Sequence, residues 1–511
     1  MSPVSVSSSC FQPLPLGQTI PASPHAVSCS LPTMHAIRGY EEKNPEVTRH
    51  LTLGYPRFVV HPFARQLAEH CLAGFEPERK NHTLWLTSSA KMAGALATHL
   101  AAVPGVALFE HNGFHGVSHP VSSDTYARAK TYLQNIGGYI SSREAEDHLV
   151  HLGLRAAPHA EEKFSGDALA EIHRQLHHAL PGTTAADLAI ANCGMNAIYA
   201  GFRAVSELQA TRGRTVWIQL GWLYLDTIAI LKKFTASPAD YVYFRDVFDL
   251  DGLRRIFATH GHRIAGVVTE VPTNPLIQTP DLPALATLCR QHGARLLVDP
   301  SIAALHNLDV LPHADIVVTS LTKYAASEGD LTAGLAAVNP AGPDAADLRC
   351  RLAAAIEPLY ARDASRLALE IGDTESVLAK IHARTPRVVA FLEKHPAVHH
   401  VYWALQATSR DNFLRRARTP DATGGMITFT LREPGSLTKF YDRLRLPKGP
   451  SFGMKTTLIC PFMYLAHYDL ISSPAGLAEL AASKLDPDLL RLCIGTEPVE
   501  EIISALAEAL A

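Results

Sequence analysis

Paired cysteines are missing from this 511-residue chain: its eight cysteines, at positions 10, 29, 71, 193, 289, 350, 460 and 493, include no Cys-x-x-Cys pair. No cleavable apolar segment begins the sequence, and residues 1–37 hold no Lys or Arg, which argues against a secretory n-region and an Arg-rich transit peptide. A reducing cytoplasm is the expected compartment. Net charge is also small, −3, without a long run of Lys or Arg, so neither a nucleic acid nor a membrane surface is implied as partner. Small molecules remain as ligands. What the chain does have is length and 47% hydrophobic residues, enough for a buried core and two or three substructures. The first ten or so residues, rich in Ser and Pro, are expected to be disordered.

The most informative stretch runs from Ala265 to Val338. Ala265–Val271 is a short apolar run. Asp281–Gly293 follows with Leu282, Leu285, Leu288 and Cys289 at helical spacing and a glycine stop. Arg295–Val298 is a second apolar run ending on Asp299, and Asp315–Thr319 is a third, β-branched one, separated from Lys323 by three residues. Strand, helix, strand, strand is the layout of an α/β fold with a mostly parallel sheet, where catalytic groups sit at the carboxyl ends of strands. Asp299 and Lys323 both fall there. A lysine that forms a Schiff base needs a neutral amine in a desolvating cavity. An aspartate on a neighbouring strand can keep a pyridine nitrogen protonated and turn the ring into an electron sink. Ser320 and Thr322 flank the lysine with hydroxyls suited to a phosphate.

The segments VTEVPTNPL, LLVDP and ADIVVTSLTKY, in that order and spacing, resemble the Cys/Met-metabolism family of pyridoxal-phosphate (PLP) enzymes. The GYPRF segment and GPSFGMKTTLICPFMYLAHY are similar to the fungal-type cystathionine γ-synthase branch. The resemblance implies fold type I, aspartate aminotransferase-like, with a large PLP-binding domain and a smaller α+β carboxyl-terminal domain. The expected division is a tail at 1–50, a PLP domain at 51–340 interrupted by a long insertion at about 64–180, and a second domain at 341–511.

By the same resemblance, Lys323 carries the cofactor, Asp299 meets its ring nitrogen and Tyr224 stacks on the ring. Asn274 lies near the phenolic oxygen. Tyr55 and Arg57 match a Tyr-x-Arg whose side chains reach the phosphate of the neighbouring subunit, so a homodimer at minimum is implied, with a homotetramer left open. Gly194 and Met195, with Ser320 and Thr322, complete the phosphate site; a glycine entering a helix suits that task because helix amino termini bind anions. Cys193 stands where the family has serine. Ser451 positions substrate and lysine, and Arg491 grips the substrate α-carboxylate, as a bidentate guanidinium can; an internal salt bridge to Glu497 is the alternative. Pro450 departs from the Glu of many cystathionine-handling relatives.

His111, His115 and His119 are spaced as ligands on one helix face would be. Gly113, Gly116 and Pro120 interrupt that helix, so no metal site is expected. The pairs His177/His178 and His399/His400 are expected at the surface. Helices are expected at Phe63–Ala73, Ala90–Leu100 and Gly166–Leu180, and a long helical segment from Asp344 through Leu392.

The activity implied is γ-replacement on an O-acyl-homoserine by cysteine, giving cystathionine. A γ-lyase, an O-acyl-homoserine sulfhydrylase and a γ-substitution enzyme of secondary metabolism are alternatives on the same fold. A non-catalytic PLP-binding protein is the alternative of another class, disfavoured because both Lys323 and Asp299 are present.

Overall fold

The computed structural model describes residues 11–55 and 59–511. Arg57 therefore lies outside the described residues. The core is a seven-stranded sheet in the order Leu188–Ala191, Gly334–Val338, Ile316–Ser320, Arg295–Asp299, Ile264–Glu270, Val216–Leu220, Tyr241–Phe244. The strands pair in parallel except Gly334–Val338, which runs antiparallel to both neighbours.

Every residue of Ile264–Glu270 and Arg295–Asp299 is buried, the pattern of strands covered by helices on both faces. Side chains alternate between faces. Val267, Leu296 and Val298 join one apolar cluster, while Val268, Leu297 and Val318 join another on the opposite side. Helix Leu282–His292 starts and stops where its sequence dictates. Asp281 accepts the Ala284 N–H at 3.1 Å, Pro283 sits in the first turn, and Gly293 ends it at φ 68°.

The long helical segment expected after Asp344 is three helices, Ala345–Ala355, Ala361–Ile371 and Thr374–Lys394. Pro358 interrupts the first junction, as a residue without an N–H must. A four-stranded antiparallel sheet follows, in the order Val398–Tyr402, Met426–Leu431, Leu490–Cys493, Leu458–Pro461.

Between residues 62 and 179, helices Pro62–Phe75, Ala90–His99 and Ala168–Ala179 stand close to where they are expected. Between them lies a three-stranded antiparallel sheet, His82–Thr87, Phe114–Pro120, Ala107–His111, followed by helices Ser123–Ile136 and Ser142–His151. The four-residue histidine spacing belongs to this sheet's hairpin. His119 is buried and its Nε2 accepts the Trp85 indole N–H at 3.0 Å. His399 and His400 are exposed. Among the described residues no helix is long and apolar enough to cross a membrane.

Candidate active site

The parallel register pairs Asp299 directly with Glu270, so two strands deliver two buried carboxyls side by side at their carboxyl ends. Burial pushes the Asp299 carboxyl up to about 6, against the opposing hydrogen bond from the Ser301 N–H at 2.8 Å. Glu270 is pushed well above the carboxylate range by burial and then by the Asp299 charge beside it. Its two oxygens accept the backbone N–H groups of Tyr224 (2.5 Å) and Asn274 (3.1 Å). Glu270 thus ties the Tyr224 and Asn274 loops to the sheet. Sequence reasoning passed over it, although its place at the end of a strand, next to Asp299, was the available signal.

Lys323 sits in the turn after Ile316–Ser320. Its Nζ is hydrogen-bonded to the Tyr55 hydroxyl and lies 3.1 Å from Ser451 Oγ, while Tyr55 and Ser451 are 2.6 Å apart. The amine also faces the rings of Tyr55 at 4.2 Å and Phe452 at 4.9 Å. Burial, and then the Arg491 charge, hold its pKa well below the usual lysine value. That is the neutral amine a nucleophilic lysine needs. Within the chain, Tyr55 lies against Lys323. The path of the chain explains this: Tyr55 N–H donates to Val27 O at 3.1 Å, and Val27 N–H to Gly329 O at 2.9 Å, six residues beyond the lysine.

Ser451 occupies the left-handed region at φ 102°. The Arg491 guanidinium donates to its carbonyl at 3.4 Å and lies over the rings of Phe462 (4.9 Å) and Phe452 (5.3 Å). Glu497, the alternative acid partner, accepts the backbone and side-chain donors of Thr457 instead, both at 2.7 Å. Arg491 is buried without a carboxylate ion pair among the described residues, which is unfavourable unless an anion meets it.

Opposite the lysine, helix Gly194–Ala210 begins at the cavity wall. A Cβ on Gly194 would stand 2.8 Å from Ser320 Cβ, so only glycine lets the helix start this close to the strand. Met195, Ser320 and Thr322 line the same wall. The Thr322 hydroxyl accepts the Ala333 N–H at 3.0 Å, an internal contact the sequence did not suggest. Cys193 replaces a hydroxyl with a thiol that burial pushes up to about 11.

Lys323, Asp299, Tyr224, Asn274, Tyr55, Gly194, Met195, Ser320, Thr322, Ser451 and Arg491 all face one cavity of about 240 Å³. Asn274 Oδ1 is buried there with no hydrogen-bond partner among the described residues. A helix amino terminus, hydroxyls, a buried acid pair, an unsatisfied amide oxygen and a neutral lysine fit a phosphorylated pyridine aldehyde.

The Cys/Met metabolism PLP-dependent enzyme profile matches residues 173–511. The chain belongs to that family. It is accordingly a PLP-dependent enzyme with the α/β fold of its relatives. It is 39% identical to L-2-amino-4-chloropent-4-enoate dechlorinase/desaturase of Streptantibioticus cattleyicolor, over 96% of this chain and 97% of that one. It is 25% identical to cystathionine gamma-synthase of Neurospora crassa, over 98% of each. Among solved structures it is similar to cystathionine gamma synthase from Xanthomonas oryzae pv. oryzae in complex with aminoacrylate and cysteine, with TM-score 0.57, 22% identity, and coverage of 68% of this chain and 86% of that one.

Proposed function

We propose that the enzyme removes a small, uncharged substituent, with chlorine, lost as chloride, as the leading candidate, from Cγ of an L-α-amino acid. The observation that carries this reading is the chemistry of the cavity beyond Lys323 and Arg491. Phe452 lies beside Lys323 and Arg491, Phe462 beside Arg491, and Pro450 and Leu465 line the same cavity. Each carboxyl lining the cavity is already engaged. Asp226 accepts from Gln134 and Asn135, Asp363 from Arg143, Asp299 from Ser301, and Glu270 from Tyr224 and Asn274. Asp363 keeps its other oxygen without a hydrogen-bond partner among the described residues, but it is paired with the buried Arg143, and an apolar wall suits a halogen or vinyl group better than the distal ammonium of cystathionine. The 39% identity to a dechlorinase/desaturase supports the same choice.

In this reading Gly194, Met195, Ser320 and Thr322 hold the phosphate, Asp299 the ring nitrogen, Asn274 the phenolic oxygen, and Tyr224 covers the ring; Arg57 is a further candidate for the phosphate. Bound there, pyridoxal phosphate supplies the electron sink that lets carbon–hydrogen bonds next to the amine ionise. Arg491 takes the substrate α-carboxylate in a paired hydrogen bond, the anion that its burial calls for. Lys323, neutral and poised between Tyr55 and Ser451, takes and returns protons at Cα and Cβ. With 2-amino-4-chloropent-4-enoate the net change is loss of one proton and one chloride, the electron pair of the C–Cl bond leaving with chloride. One additional carbon–carbon π bond remains in the amino acid.

The γ-replacement implied by the sequence, cysteine plus O-acyl-homoserine, is the second reading, supported by the match to the Neurospora synthase along its whole length. Incubation with the chloroalkenyl amino acid, and separately with O-acetyl- and O-succinyl-homoserine with and without cysteine, distinguishes them. Chloride release faster than any cystathionine formation is expected. Cystathionine as the dominant product, with no chloride released, would reassign the enzyme to the synthase reaction.

A further inference from the structure

We propose that Asp226 is a positioning residue for Tyr224: with Gln134 and Asn135 of the inserted region it forms a polar latch that fixes the tyrosine's turn against the start of helix Gly194–Ala210. Tyr224 directly precedes helix Leu225–Phe234, and Asp226 stands in that helix's first turn. The turn is gripped from two sides. On the sheet side, Glu270 accepts the Tyr224 N–H at 2.5 Å. On the other side Asp226 is buried, and its two oxygens accept Gln134 Nε2 at 2.7 and 2.8 Å, while one of them also accepts Asn135 Nδ2 at 3.0 Å. A carboxylate taken out of water with amide donors on both oxygens is held in one place, because leaving any of these groups unpaired is costly.

The Asn135 amide is oriented by Lys233, two turns along the same helix as Asp226. Lys233 Nζ donates to Asn135 Oδ1 at 2.7 Å, which leaves Asn135 Nδ2 to face the carboxylate. The far end of the latch is anchored as well. Helix Ser123–Ile136 stops at Gly137, φ 68°, and its last carbonyls are met by amides at and just before the start of helix Gly194–Ala210. Asn196 Nδ2 donates to Ile136 O at 3.0 Å and Asn192 Nδ2 to Gly137 O at 2.9 Å. A Cβ on Gly137 would lie 2.7 Å from both the Asn196 backbone nitrogen and Cys193 Sγ, so the two helices touch here without room for a side chain. Gln134, Gly137, Tyr139, Ser141 and Ser142 form cavity wall as a result. One short stretch, Gln134 to Gly137, thereby joins the tyrosine assigned to the cofactor ring to the helix start assigned to its phosphate.

The proposal rests on the reading that Tyr224 covers the cofactor ring, and it holds whichever γ-substituent leaves. Its test compares Asp226→Asn, Gln134→Glu, the double variant and Tyr224→Ala, each as the full chain. Visible circular dichroism per bound cofactor is measured on the holoenzyme and reports how asymmetrically the ring is held. The protein is then stripped of cofactor for its melting temperature and for titration with pyridoxal phosphate. Gln134→Glu sets two carboxylates face to face and Asp226→Asn sets donor against donor, whereas the double variant exchanges the partners and pairs donor with acceptor again. Each single change is expected to raise the cofactor dissociation constant roughly tenfold, the scale of a hydrogen bond to a buried charge. Each should also weaken the dichroism, as Tyr224→Ala does, and the double variant should regain both. Gln134→Met removes the donor without adding a charge and replaces Gln134→Glu if that chain does not fold. A lower melting temperature with unchanged affinity and dichroism returns Asp226 to a structural role and overturns the proposal, as does a double variant no better than the single ones. If Tyr224→Ala alone alters the cofactor's signal, the latch fails and the ring-covering reading stands; if no variant alters it, that reading fails and the latch with it.

Discussion

Gly194→Ala is a direct test of how close the phosphate cradle must be. The added methyl carbon would sit 2.8 Å from Ser320 Cβ, 3.0 Å from its Oγ and 3.1 Å from its Cα. The serine cannot step back, because its N–H donates to Ser301 Oγ at 2.9 Å and its strand pairs with Gly334–Val338. The helix start must move instead. An added methyl in a packed site costs about 1–3 kcal/mol. If the bound cofactor bears that strain, its dissociation constant rises roughly 5- to 150-fold. The assay is titration of cofactor-free protein with pyridoxal phosphate, followed by absorbance, with thermal unfolding as the check on folding. Gly74→Ala is the control, since Gly74 lies in helix Pro62–Phe75 with nothing within 4 Å of a new Cβ. Unchanged cofactor affinity in folded Gly194→Ala would refute the claim that Gly194 forms the cradle.

Arg491→Lys retains the charge but loses the paired donors, so KM for the amino acid should rise and kcat/KM fall by about 2–5 kcal/mol in activation free energy, read by steady-state kinetics; unchanged kinetics would return Arg491 to a structural role. Asp299 is raised by burial to about 6 in the protein without cofactor, so its carboxylate is present above that pH and protonated below it. Cofactor affinity should therefore fall as pH drops through 6, and Asp299→Asn should bind weakly with that dependence removed. His25 is lowered from 6.5 to about 2, chiefly by burial and then by Arg143, so it stays neutral when folded while the unfolded chain takes up a proton. Its contribution to stability is intact above pH 6.5 and is lost as pH falls toward 2, at up to about 1.4 kcal/mol per pH unit. Urea unfolding at pH 7 and pH 5 should show that loss in the wild type and a smaller one in His25→Gln.

The sequence was most readable where chemistry and local structure coincide. Asp299 and Lys323 could be placed because apolar β-branched runs end on them, and in a parallel sheet a strand's end is an address. Tyr55, Ser451 and Arg491 came from resemblance, since nothing local reveals that residues 268 and 128 positions away meet Lys323. Glu270 was missed because a glutamate closing an apolar run also reads as an ordinary strand end. The sheet of His82–Thr87, Ala107–His111 and Phe114–Pro120 was missed for another reason: its strands carry Gly, Ser, His and Pro, which blur the period-2 signal. The closure of the cavity by Gln134–Ser142 could not be read at all, because it depends on Arg143 finding Glu161, Asp330 and Asp363, three acids spread over 203 positions of chain.

The central claim, that Lys323 drives loss of chloride from Cγ, is tested most directly by running the reaction of 2-amino-4-chloropent-4-enoate in deuterated water, with wild type and with Lys323→Ala. The expected result is one chloride released per product amino acid, solvent deuterium at its C2 and C3, and loss of both signals in the variant. Chloride release undiminished in Lys323→Ala would contradict the account, as would wild-type enzyme that leaves the chloroalkene intact yet converts O-acyl-homoserine and cysteine to cystathionine.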